Sequence, residues 1–278
     1  MSTILVTGAN GYIGSSVVKT LLNNSMDVIA TDVKSNNIDN RAQIVECNIL
    51  SQKTEPLPDW FGKADACLHL AWQDGFVHNA LSHIENVSSH FVFLEKLVSL
   101  GISQIAVMGT MHEIGYWEGE INEETPTNPI SLYGIAKDSL RRAVTAFLKD
   151  KNVIFQWLRA FYIYGNDNMN HSIFTKILQA AKNGEKTFPF NSGMNKYDFI
   201  HVDELARQIA ACVSQRQITE IINCCSGTPI SLKDKVEEFI TEHGLDIKLQ
   251  YGAFPDRPYD SSGVWGNAEK IEEIMSRL

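Results

Sequence analysis

Ile4-Leu5-Val6-Thr7-Gly8-Ala9-Asn10-Gly11-Tyr12-Ile13-Gly14 decides the fold. The β-branched run 4–7 reads as a strand, and the amphipathic stretch 11–23 as the helix that follows. Between them, Gly8 permits a tight turn and Gly11 lets the backbone approach a pyrophosphate. Gly14 lets the helix pack closely on its strand, and the helix N-terminus then faces the anion. Asn10, Tyr12 and Ile13 complete this candidate phosphate turn. The next β-branched run, Val28-Ile29-Ala30-Thr31, ends in Asp32, close to the roughly 20-residue spacing at which a carboxylate takes the ribose hydroxyls of a dinucleotide. A carboxylate there repels a 2′-phosphate and favours NAD. Lys34 nearby leaves NADP open.

Outward from this unit, short apolar runs recur at 44–45, 66–70, 105–108 and 154–158, with helical patterns near 79–100 and 132–149. Runs apolar throughout suit parallel strands buried on both faces, and strand–helix alternation predicts an α/β, Rossmann-type doubly wound parallel sheet. After residue 165 the rhythm loosens. Turn-rich pieces such as Asn166-Asp167-Asn168 alternate with helices near 172–183 and 203–214. We expect a dinucleotide-binding domain over 1–165, receiving segments near 198–225, and a smaller, discontinuous C-terminal substrate lobe over 166–278.

The chain has 278 residues, 44% hydrophobic and 21% charged, an ordinary globular balance. Its net charge of −9 and the lack of any Lys/Arg run argue against nucleic-acid binding. Five cysteines without a CxxC pair, and eight histidines without ligand spacing, predict free thiols and no metal. No apolar run approaches a membrane span, and the first residues lack a basic, signal-like region, so a cytoplasmic protein is expected.

A second motif carries chemistry. In Tyr133-Gly134-Ile135-Ala136-Lys137 the phenol and ammonium stand four residues apart, on one face of a predicted helix. Among the eight tyrosines, Tyr133 alone has lysine at that distance. A nearby ammonium is expected to stabilise phenolate and lower the phenol's pKa. Such a phenol donates a proton to a carbonyl, or takes one from an alcohol, as hydride moves to or from nicotinamide.

Taken together, Gly8, Gly11, Gly14, Tyr133 and Lys137 resemble the extended short-chain dehydrogenase/reductase superfamily, within it the nucleotide-sugar epimerases, dehydratases and 4-ketoreductases. The resemblance extends to His69-Leu70-Ala71, to Leu158-Arg159 through Tyr164-Gly165, to Asp198-Phe199-Ile200-His201-Val202-Asp203 and to Arg257-Pro258. It implies that Thr110 is the third catalytic residue, that Leu70 and Ala71 lie beside the cofactor, and that Lys137 also holds the nicotinamide ribose. It implies that Asn48, beside Ile49, replaces an adenine-contacting Asp, and that Arg257 grips the diphosphate of a nucleotide sugar. Homodimerisation through the helices near 79–100 and 132–149 is implied as well.

Departures from the family pattern narrow the reaction. Met111 and His112 occupy the places of the Asp-Glu pair of dehydratases, which disfavours dehydration. His112 and Glu113 are left as candidate proton carriers or substrate contacts. Tyr162 replaces the usual Asn, and Tyr197 the usual Arg, both on the substrate side. The resulting expectation is NAD(P)-dependent chemistry at C4 of a nucleoside-diphosphate sugar, with 4-keto reduction ahead of 4-epimerisation. A non-catalytic dinucleotide sensor is the contrasting class, disfavoured because a sensor has no use for an acid/base phenol.

Overall fold

A computed structural model of the chain describes residues 2–51, 57, 59–165, 172–256 and 261–277. The first half runs β1 (Thr3–Thr7), α1 (Tyr12–Asn23), β2 (Asp27–Asp32), β3 (Gln43–Glu46), β4 (Ala66–His69), α2 (Ser82–Ser99), β5 (Gln104–Thr110), β6 (Gly119–Ile121) and α3 (Leu132–Leu148). It continues with β7 (Ile154–Ala160), β8 (Tyr162–Tyr164), α4 (Ile173–Lys182), β9 (Thr187–Pro189) and β10 (Lys196–His201). The last elements are α5 (Val202–Ser214), β11 (Glu220–Cys224), β12 (Pro229–Ser231), α6 (Leu232–Glu242), β13 (Lys248–Gln250), β14 (Gly263–Gly266) and α7 (Glu269–Met275).

Seven strands form the main sheet in the order β3-β2-β1-β4-β5-β7-β11, every neighbouring pair parallel. The central strands are buried along nearly their whole length because helices cover both faces. Val17, Val18 and Leu21 of α1 pack with Leu205, Ile209 and Val213 of α5 on one face. Phe93, Leu94 and Leu97 of α2 pack with Leu140 and Val144 of α3 on the other. This is the doubly wound sheet that the alternating runs predict. The chain winds outward from β1 in one direction and resumes at β4 in the other, so the strand order switches between β1 and β4. A ligand crevice opens at the carboxyl ends of strands at such a switch.

Around this body α5, β11 and α7 return to the large sheet. A second sheet orders β12-β10-β14-β6, with β8 pairing the far end of β10. It takes β6 from the first half of the chain, which apolar periodicity alone does not reveal. A small apolar cluster of Phe174, Ile177, Phe190, Val236 and Phe239 holds α4 and α6 together. The helix expected from 79 begins at Ser82, because Asp74 at φ 55° and the turns after it lead the chain across the mouth of the crevice first.

Candidate active site

The floor of the crevice is the glycine turn. Gly8 sits at φ +70°, and a Cβ there would come within 2.7 Å of the Leu70 and Ala71 backbone. A Cβ on Gly14 would stand 2.0 Å from the Gly8 carbonyl oxygen. Gly11 caps α1 without any side-chain hydrogen bond, which leaves the positive end of the helix turned to the crevice. Backbone can approach a pyrophosphate only where no Cβ stands, so this cradle fits a dinucleotide.

Two adjoining cavities open above it. The smaller, about 380 Å³, is lined by Gly8, Gly11, Asp32, Asn48, Ile49, Leu70 and Ala71. The larger, about 760 Å³, takes in Gly8, Gly11, Tyr12, Ile13, Gly14 and Leu70 and runs on to Thr110, His112, Tyr133, Lys137 and Tyr162. Asp32 accepts the Asn10 N–H at 3.0 Å and the Val33 N–H at 2.7 Å. Asn10 lines neither cavity. Its side-chain oxygen accepts the Asn37 N–H at 2.7 Å, so it braces the neighbouring turn. The Tyr12 hydroxyl donates to the Gly165 carbonyl at 2.6 Å and ties the glycine turn to the end of β8.

β5 delivers Thr110 to the crevice at its last position, paired in register with Ala160. Helix α3 starts on the Ser131 cap, whose hydroxyl accepts the Gly134 N–H at 3.2 Å, and its first two turns present Tyr133 and Lys137. The Lys137 Nζ donates to the Met108 carbonyl at 2.8 Å and lies 3.8 Å over the Trp72 ring and 5.9 Å from the Tyr133 ring centre. Burial pushes Lys137 down to about 7, against an opposing pull from Glu113. It pushes the Tyr133 phenol up to about 12, against a hydrogen bond with the Thr110 side chain that works the other way. The expected lowering of the phenol is therefore corrected. Desolvation outweighs an ammonium already committed to a carbonyl and an indole.

Around this trio stands an aromatic network that sequence reasoning missed. Trp72 stacks on His90 at 4.5 Å, and its Nε1–H donates to His83 Nδ1 at 3.0 Å. With Nδ1 accepting, His83 carries its proton on Nε2 and gives it to the Val77 carbonyl at 2.9 Å. His69, buried, bonds Thr7 Oγ1 at 2.8 Å and His90 at 3.0 Å. The His78 ring lies parallel to Tyr133 at 5.7 Å, edge-on to His112 at 4.5 Å. The only sequence signal was the density of His and Trp between 69 and 90, since the contacts cross from a strand end to a loop and a helix.

Glu113, read as a candidate proton carrier, is fully buried behind Thr110 rather than facing the crevice. Its Oε1 accepts the Thr110 N–H at 2.7 Å and the Trp157 Nε1–H at 2.8 Å, with Arg141 and Arg159 at 3.5 and 3.7 Å from Oε2. Burial raises this carboxyl and the two arginines oppose it. Its place is that of a support under Thr110. His112 lines the cavity, pushed down to about 4 by burial and then by His78, so it stays neutral near pH 7. The two tyrosine departures prove to be neighbours, since Tyr162 and Tyr197 pack ring to ring at 4.4 Å. Asp198 is structural, accepting from Ser226, Gly227 and Gly266 and so stitching β10 to β14. Arg257 lies outside the described residues. Among the described residues no cluster of His, Cys, Asp or Glu could hold a metal, and no helix is long and apolar enough to cross a membrane.

The site has relatives of known name. The dTDP-6-deoxy-L-talose 4-dehydrogenase (NAD(+)) of Aggregatibacter actinomycetemcomitans is 46% identical over 267 residues, 95% of this chain and 98% of that protein. The UDP-glucose 4-epimerase of Corynebacterium glutamicum is 25% identical over 98% of this chain and 89% of its own. Among solved structures, MoeE5 in complex with UDP-glucuronic acid and NAD shares the fold with a TM-score of 0.82 at 23% identity, covering 99% of this chain and 92% of that one. A family model for the NAD dependent epimerase/dehydratase family matches residues 4–225. This chain belongs to the NAD-dependent epimerase/dehydratase family.

Proposed function

We propose that the protein is an NAD-dependent oxidoreductase that interconverts the 4-keto and 4-hydroxyl forms of a dTDP-linked 6-deoxyhexose. The observation that carries this reading is the meeting of Thr110, Tyr133 and Lys137 in one cavity with the glycine cradle. The sugar class and the position of the chemistry follow the named activity of the 46% identical relative, which spans almost all of both chains and is named for the NAD(+)-linked oxidation, the reverse of the 4-keto reduction assayed below. The 25% identical epimerase supports 4-epimerisation only as a second reading.

In this reading the glycine turn and the N-terminus of α1 hold the pyrophosphate, Asp32 the adenosine ribose, and Asn48 with Ile49 the adenine. Lys137 reaches the nicotinamide ribose. The bound nicotinamide supplies or takes up the hydride at C4. Tyr133, held as the protonated phenol, gives its proton to the developing C4 oxygen, and Thr110 hydrogen-bonds and orients that oxygen. Much of the rate enhancement comes from fixed placement of the sugar carbon against the cofactor. Tyr162, backed by Tyr197, walls the sugar side, and His112 offers it a neutral imidazole. The protein acts in the cytoplasm and pairs as a homodimer through α2 and α3, a point gel filtration checks.

The test follows nicotinamide absorbance with nucleotide-linked 4-keto-6-deoxyhexoses and either NADH or NADPH. Stoichiometric loss of NADH with a dTDP sugar is the expected outcome. Isomerised product without net cofactor change overturns it in favour of the epimerase. Tyr133→Phe should lower kcat by about 10²-fold or more while NADH still binds.

A further inference from the structure

We propose that His78 is the proton port of this site, its imidazole carrying protons between solvent and the Tyr133 phenol in each turnover. The inference rests on the net oxidoreductase reading. An epimerase returns the proton it borrows, whereas a reductase draws one from water for every product released. A phenol that spends its proton must therefore be reloaded from outside.

The segment that carries His78 is fixed against the phenol from both sides. The Tyr133 N–H donates to the His78 carbonyl at 2.9 Å, and the Leu132 N–H to Asn79 Oδ1 at 3.2 Å, so the loop satisfies the opening amides of α3. Behind it, His83 Nε2 donates to the Val77 carbonyl. The His78 ring is thereby held parallel to Tyr133, within 13°, and exposed at the crevice mouth. Among the described residues, neither of its ring nitrogens has a hydrogen-bond partner.

Other candidates fail on geometry. Both nitrogens of His83 are occupied by Trp72 and Val77. His69 and His90 are buried, bonded to each other, and their chain ends on Thr7. His112 lies deeper, edge-on to His78. The titratable groups against His78 are Tyr133 of α3, His112 from the turn after β5 and His83 from α2, while Asp74 of its own loop is engaged in accepting from Ser82 at 2.7 Å. The part of the ring turned to Tyr133 and His112 is desolvated, and this, then His83, lowers the pKa of His78, so the ring gives up a proton readily once it has taken one.

In the reductive direction the phenol O–H breaks as its proton passes to the C4 oxygen, leaving phenolate while hydride from NADH completes the alcohol. The His78 imidazolium then releases its proton through a water in the crevice to the phenolate. The neutral imidazole regains one from solvent. The sum is ketone, NADH and one proton giving alcohol and NAD.

His78→Phe keeps a flat ring against Tyr133 and removes the relay, and His78→Gln provides a second variant of different shape. Their kcat, KM and NADH dissociation constant are measured between about pH 6 and 9, with and without tens of millimolar imidazole. We expect kcat to fall about tenfold or more, KM and NADH binding to hold within about twofold, and imidazole to restore much of the loss. Unchanged kcat, a loss confined to KM or NADH binding, or a kcat loss that imidazole leaves untouched overturns the proposal. A second arm follows the His78 ring by ¹⁵N NMR in wild type and Tyr133→Phe. The ring should titrate freely and shift when the phenol is removed, and a ring blind to both overturns the proposal. Wild-type protein inactive on every sugar overturns the proposed function instead, and the NMR arm still decides His78.

Discussion

Replacing Glu113 by alanine removes the carboxylate that supports Thr110 from beneath. The Thr110 N–H and Trp157 Nε1–H lose their shared acceptor at 2.7 and 2.8 Å, and each unsatisfied buried donor costs about 1–3 kcal/mol. Among the described residues, Arg159, fully buried, keeps the Asn122 carbonyl at 3.1 Å and Asn223 at 3.4 Å, with Asp138 as its remaining acidic neighbour, and breaking a buried charge pair costs about 3–5 kcal/mol. These losses overlap, so the expected destabilisation is about 4–6 kcal/mol, a large part of the roughly 5–15 kcal/mol that folds a domain. Glu113→Gln keeps an oxygen for both donors and loses only the charge, at about half that cost. Urea denaturation of both variants, read by tryptophan fluorescence, measures the difference. An alanine variant within about 1 kcal/mol of wild type yet inactive would refute the support role and restore the proton-carrier reading.

Three further outcomes follow from the geometry. Asp32→Ala should weaken NADH binding about tenfold and improve NADPH binding, measured by fluorescence titration, and equal losses for both would remove Asp32 from the ribose. Gly14→Ala puts a methyl 2.0 Å from the Gly8 carbonyl oxygen, so it should lower stability by about 1–3 kcal/mol and abolish NADH binding, and a variant that binds normally contradicts the cradle. His90, pushed down to about 3, and His112, pushed down to about 4, are held neutral with His69 by burial, whereas the unfolded chain protonates them near 6.5. Their contribution is intact above pH 6.5 and is lost as pH falls toward 4, each histidine removing about 1.4 kcal/mol per pH unit. Urea midpoints should therefore drop steeply between pH 7 and 5 in wild type and less steeply in His90→Gln.

The alternation of apolar runs with amphipathic stretches fixed the sheet, because strands buried on both faces must be apolar throughout and their connecting helices amphipathic. The glycine turn was legible for a local reason as well, since Gly8 and Gly14 occupy positions that no Cβ can share. Tyr133 and Lys137 could be paired because four residues on a helix is a local distance. The rest depended on long-range packing. β6 joins a strand more than a hundred residues away, and Tyr162 meets Tyr197 only once β8 lies beside β10. Whether Glu113 faces the crevice or the core, and whether Tyr133 is acidic or hard to ionise, are set by burial, which a linear pattern does not carry. The chain by itself determined which residues could do the chemistry. The tertiary structure decided which are desolvated, which charges are already spent on a carbonyl or an indole, and which histidine still faces water, because desolvation and distance are properties of the packed molecule.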